Sequence, residues 1–147
     1  MGAVPLFRER SRAVQVIIAG VVPAVFGAVT GLALGWSAAA YWALSLLALI
    51  GGIVAGLEHL DGWGGADRGL VGGTLFGTFL LLAHAAVGNK AKVSLPDIQP
   101  ILVIFTAIVG MFASALGGRL RRVLIKPQQP AEDAEAGATG APAGQGL

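Results

Sequence analysis

The 147 residues contain no cysteine. That excludes disulfides, thiolate metal centres and palmitoylation, and it leaves the redox compartment open. Charge is scarce too: Asp, Glu, Lys and Arg make up 12 % of the chain against 55 % hydrophobic residues. A soluble domain of this size needs a charged shell over its core, and the residues to build one are missing. Nucleotide motifs are also absent. In "GWGGADRG" Asp67 takes the place of the third glycine of a dinucleotide fingerprint, and no Lys-Ser/Thr pair follows as a P-loop requires.

What the chain does have is apolar sequence in blocks. Residues 13–35, 37–57, 69–87 and 100–118 each contain no Asp, Glu, Lys or Arg. A hydrocarbon core of about 30 Å needs roughly 20 helical residues, so each block is long enough to span it. The fold class that follows is all-α: a polytopic membrane protein with four transmembrane helices in an antiparallel bundle. Residues 1–12 form a cytoplasmic N-terminal segment and residues 13–126 the helical domain. The first block is too long for a signal-peptide core and has no A-x-A-like site after it, so it reads as an uncleaved span.

Orientation follows from the basic residues. Four spans put both termini and the central loop on one side, with Arg8, Arg10, Arg12, Arg68, Arg119, Arg121, Arg122 and Lys126, eight in all, against Lys90 and Lys92 on the other. Both ends are therefore expected in the cytoplasm, and the chain in the plasma (inner) membrane of a bacterium, a source that the Ala-, Gly- and Arg-rich composition suits. The excess of basic residues is a collar at the inner leaflet, able to hold anionic headgroups through "RLRRVLIK", rather than a nucleic-acid surface. Trp36, Tyr41 and Trp42 at the outer turn, and Trp63 at the inner face, read as interfacial anchors.

The connections differ in kind. A very short turn joins the first two spans, which predicts a tight antiparallel hairpin. The outer loop "GNKAKVSLPDIQP" is longer, and Pro100 is placed to open the fourth helix. Residues 127–147, "PQQPAEDAEAGATGAPAGQGL", have no apolar periodicity and read as a disordered cytoplasmic tail. A weak echo links "AVFGAVTGLAL" (24–34) to "TLFGTFLLLAH" (74–84), which would make the domain two hairpin repeats.

Helices in lipid associate by close packing, and small residues four apart let backbones approach. Each span has such a ridge: Gly27, Gly31 and Gly35; Ala48, Gly52 and Gly56; Gly69, Gly73 and Gly77; Gly110, Ser114 and Gly118. By topology three of the four lie in the cytoplasmic half, which predicts a bundle pinched there and looser outside, or a homo-oligomer that uses one ridge as its interface. Filling a ridge, as in Gly73→Leu, is expected to disrupt assembly. Pro23 removes a backbone donor from the first helix and can bend it.

Candidate chemistry is concentrated in "GLEHLDGWGGADRGLVGGTLFG", residues 56–77. Glu58, His59, Asp61, Asp67 and Arg68 form a polar cytoplasmic loop there. Glu58, His59 and Asp61 are plausible metal ligands in kind, but they lack the i, i+4 spacing that sets two ligands on one helical face. The favoured reading is a turn: polar residues end the second helix, Asp67 caps the third, and Arg68 reaches lipid phosphate. His84 is the candidate intramembrane residue, on the packing face within about 20° of Gly73 and Gly77. It is either functional or a neutral imidazole hydrogen-bonded across the interface or to interfacial water. The 17 residues from Asp67 to His84 alone rise about 25 Å, so His59 and His84 lie too far apart to share a metal within one chain. No cofactor is implied.

Two functional classes remain, with a metal-dependent intramembrane enzyme third. The first is a non-catalytic accessory or scaffold subunit that packs through its glycine ridges on a larger membrane protein. The alternative is a homo-oligomeric small transporter or channel with a pathway near His84.

Overall fold

A computed structural model describes residues 6–59 and 61–124. The expected tail over 127–147, and Lys126, lie outside the described residues. A short 3-10 turn, Phe7–Glu9, leads into four long helices: α1 Arg12–Trp36, α2 Ala38–Gly56, α3 Gly62–Val87 and α4 Pro100–Leu124. They run for 19 to 26 residues, and each is long and apolar enough to cross a membrane. At 1.5 Å per residue the shortest spans about 28 Å.

Local chemistry sets the ends. The Ser11 hydroxyl accepts from the Val14 amide, and Ser37, in extended backbone, accepts from Ala40. Asp61 caps α3 by accepting from the Gly64 amide at 2.7 Å. Gly88, at φ 69°, ends that helix in the left-handed conformation glycine adopts without strain. α3 therefore begins seven residues before the apolar block at residue 69. Asp67 lies inside it, exposed, and the capping role expected of Asp67 belongs to Asp61.

The α1 helix widens into a π turn over Ile17–Val21, just before Pro23. There the Val22 amide bonds the Ile17 carbonyl instead of that of Ile18. The next residue that could serve Ile18 is Pro23, which has no N–H. The Ile18 carbonyl is thus left without a partner on its own helix.

The helices do not pair in the order the loops suggest. The closest pair is α3 with α4, then α1 with α3 and α2 with α4, while α1 and α2 touch less. The one-residue connection at Ser37 leaves α1 and α2 in contact, but α1 leans more on α3 and α2 more on α4. The two hairpins also pack unequally, so the echo between 24–34 and 74–84 has no counterpart in the contacts. Its phenylalanines do meet across α1 and α3, Phe26 and Phe76 at 6.5 Å between rings.

Glycine makes the close approaches. A Cβ at Gly27 or Gly31 would strike the backbone of Phe76 or Leu80 on α3. Gly65, Gly69, Gly73 and Gly77 similarly abut Ser114, Gly110, Thr106 and Val103–Thr106 on α4. Gly56 and Gly117 close α2 against α4, Gly110 returns the contact to Gly69, and Gly118 abuts Asp61 and Gly62. Gly52 meets the Ala113 methyl at an ordinary 3.5 Å, and Gly35 faces Asn89 and His84. Each helical glycine costs about 0.8–1.0 kcal/mol relative to alanine. Backbone C–H···O contacts of about 0.5–1 kcal/mol each can offset that where two helices touch.

Close packing is thus not confined to one half of the bundle, since α1 and α3 meet at Gly27 and Gly31. The half expected to be looser contains the cluster of large buried side chains, Leu34, Tyr41, Leu80 and Leu102. Ala91, Val93 and Leu95 of the 88–99 loop fold onto that cluster, and the Lys92 amide donates to the Leu34 carbonyl at 2.9 Å. Tyr41 is buried and edge-on to Trp42, so it is a core residue and not an interfacial anchor. Trp36, Trp42 and Trp63 are exposed.

Candidate polar site at the α2–α3 turn

The turn after α2 carries Glu58 and His59, and the 3-10 turn of the N-terminal segment lies across it as a strap. The Phe7 amide donates to the Glu58 carbonyl at 3.1 Å. The Arg10 guanidinium donates to Glu58 Oε1 at 2.8 Å, in an ion pair whose carboxylate is only 13 % exposed. Gln15, one turn into α1, donates back to the Arg10 carbonyl at 2.8 Å. Strap, turn and α1 are tied together by residues that lie far apart in sequence.

Phe7 is the centre of this contact. Its ring stacks on His59, with centroids 5.6 Å apart and planes 23° from parallel. The Arg68 guanidinium lies 4.6 Å from the same ring, within the range of a cation–π contact. Arg68 therefore spends part of its guanidinium within the chain. Its Nη2 donates to the Ile18 carbonyl at 3.0 Å, the oxygen that the π turn and Pro23 leave unserved. A donor from α3 completes the hydrogen bonding of a distorted α1.

His59 Nδ1 lies 3.3 Å from the Ala55 carbonyl, which makes Nδ1 the protonated nitrogen of the neutral ring. Burial holds the His59 pKa below its ordinary range, and the Arg68 charge acts in the same direction. The Ala55 hydrogen bond and the charges of Glu58 and Asp61 oppose this without reversing it. Arg121 of α4 donates to the Leu57 carbonyl at the end of α2, so one of the α4 arginines serves a helix terminus. Arg10 Nε, Glu58 Oε2 and Arg68 Nε are shut from solvent with no protein partner.

Of the five loop residues singled out in the sequence, the fold brings Glu58, His59 and Arg68 together and adds Arg10 and Phe7. Asp61 is spent on the cap, and Asp67 faces outward. Among the described residues no three His, Asp or Glu side chains are grouped to hold a metal. What this arrangement can do chemically is clamp the strap and sense charge. It presents no nucleophile beside a base.

His84 lies at the other end of α3, partly buried, with Nδ1 shut from solvent and without a hydrogen-bond partner. It is on a packing face and near Gly35 of α1, whereas Gly73 and Gly77 abut α4. A straight stripe on α3 thus meets one neighbour at the glycines and another two turns later. The cross-interface hydrogen bond expected of a structural histidine is not formed from Nδ1. Ser114 is fully buried, and its hydroxyl has no partner.

Compared with family models, curated proteins and solved structures, the chain matches none.

Proposed function

We propose that the chain is a multi-pass protein of the plasma (bacterial inner) membrane, an antiparallel bundle with both termini cytoplasmic, acting as a non-catalytic accessory subunit. The observation that carries this is the use of its glycines. Gly27, Gly31, Gly56, Gly65, Gly69, Gly73, Gly77, Gly110, Gly117 and Gly118 all press on backbone of the same chain. Thr30 and Ser114 are the buried polar side chains among the described residues, and Thr30 bonds its own helix. An interior filled in this way leaves little for a polar solute to follow, so the working surfaces are external.

The glycine ridges are occupied within the chain, so the face offered to a partner is a different one. α2 buries only Tyr41 and Gly56, and a Cβ at Gly51 meets nothing within 4 Å. The supporting experiment places a photo-crosslinking residue at Leu47 in native membranes and compares it with the same residue in a Gly51→Leu background. One dominant cross-linked protein, lost on filling Gly51 while the bundle stays folded, is the expected result. Cross-links only to lipid, or a product indifferent to Gly51, would refute the accessory role.

The unpartnered His84 Nδ1 favours a second reading, a homo-oligomeric transporter with its pathway beside that residue. It requires a solute flux that His84→Ala abolishes, and undiminished flux removes it.

A further inference from the structure

The outward side of the polar cluster has a groove with an uncommon mixture of charges. Its α3 wall is Gly64, Asp67, Arg68 and Val71, which at i, i+3, i+4 and i+7 share one helical face. Arg8 of the strap and Ala19 of α1 stand opposite. A Cβ at Gly64 would come within 3.1 Å of both Asp61 Oδ1 and His59, so glycine keeps that floor clear. The groove is open to the outside and holds about 350 Å³.

Two arginines, Arg8 and Arg68, and one aspartate, Asp67, line this space. Arg8 and Asp67 are exposed, and among the described residues neither is joined in an ion pair. Arg68 lines the groove while spending Nη2 on Ile18. Ala19 and Val71 continue the groove as apolar wall. The complementary ligand carries an anion beside a hydrogen-bonding cation, on an apolar stem.

We propose that the groove binds the headgroup of an aminophospholipid, with the phosphate on Arg8 and Arg68, the primary ammonium on Asp67 and the acyl chains leaving over Val71. A choline headgroup has no N–H to give Asp67, and a glycerol headgroup offers it no positive charge. The inference rests on the helices crossing a bilayer with this end at the headgroups. It does not rest on the accessory role.

The test is native mass spectrometry of the full chain released from nanodiscs containing equal phosphatidylethanolamine, phosphatidylcholine and phosphatidylglycerol of matched acyl chains. The expected result is retention of phosphatidylethanolamine over phosphatidylcholine by about two- to fivefold, the worth of one exposed charge pair. Asp67→Asn abolishes that preference and leaves retention of phosphatidylcholine unchanged, whereas Arg8→Gln lowers retention of all three. Both side chains are exposed, and an unchanged melting temperature shows that the variants fold. Equal retention of the three lipids, a preference for phosphatidylglycerol, or a preference that survives Asp67→Asn would overturn the site. Displacement of the lipid by equimolar glycerophosphoethanolamine would overturn its lipid origin. A chain that does not enter the discs overturns the membrane reading and this site together; one that enters without preference overturns the site alone.

Discussion

Arg68 and Pro23 lie far apart in sequence, yet the structure couples them through one oxygen. The Ile18 carbonyl has lost the Val22 amide to Ile17 and cannot use Pro23, so it depends on Arg68 Nη2 at 3.0 Å. Replacing Arg68 with Met removes a hydrogen bond from a charged donor, about 1.5–3 kcal/mol, and a partly desolvated cation–π contact with Phe7, about 0.5–2 kcal/mol. The single variant is therefore expected to lose about 2–5 kcal/mol of stability. Pro23→Ala restores an N–H and allows α1 to return to ordinary helical bonding, so the Ile18 carbonyl no longer needs Arg68. In the Pro23→Ala background, Arg68→Met should cost about 1.5–3 kcal/mol less, the share belonging to the hydrogen bond. The assay is a double-mutant cycle by reversible unfolding in mixed micelles, with amide exchange over residues 17–26 as the local readout. Costs that add, with no coupling, would refute the link between the π turn and Arg68.

The glycine contacts and the strap yield further predictions. Gly73→Ala places a methyl on the Thr106 backbone and is expected to cost about 1–3 kcal/mol through overpacking. Gly51→Ala, in open space, should instead stabilise α2 by about 0.8–1.0 kcal/mol in the same unfolding assay. Glu58→Gln keeps an acceptor for Arg10 but removes the charge, a loss of about 1–1.5 kcal/mol, read as faster amide exchange and faster tryptic cleavage at Arg8 and Arg10. Because the folded pKa of His59 is depressed, the folded state favours the neutral ring. Its contribution is full above the unfolded value of about 6.5 and is lost as pH falls through the lower folded value. Acidification from pH 7.5 to 5 should therefore loosen the strap, and His59→Phe, which keeps a ring against Phe7, should remove that dependence. Equal cleavage rates at both pH values in the unaltered chain would contradict the assignment.

The four helices were legible because charge-free blocks of the right length need no tertiary information to be recognised. Their partners were not. The single-residue connection at Ser37 suggested that α1 and α2 pack together, but glycine faces, not loop length, decide which backbones approach. Gly27 and Gly31 commit α1 to α3, and Gly56 with Gly117 commits α2 to α4. The start of α3 was misplaced because Asp67 and Arg68 interrupt the apolar run, although the run "DGWG" contains the aspartate cap that begins the helix. Among the site residues, Glu58, His59 and Arg68 were visible as a polar turn. Arg10 and Phe7 were not, because topology alone explained a basic N-terminal segment. A signal was available in Pro23: a proline early in a long helix frees a carbonyl that some donor must serve.

We propose above all that this bundle acts by binding another membrane protein. Native mass spectrometry of the chain, isolated from its own membranes in nanodiscs, tests it most directly. The predicted spectrum shows one copy of the chain with one copy of a different protein, a complex that Gly51→Leu dissociates. A closed homo-oligomer with no second protein would contradict the account and return attention to His84.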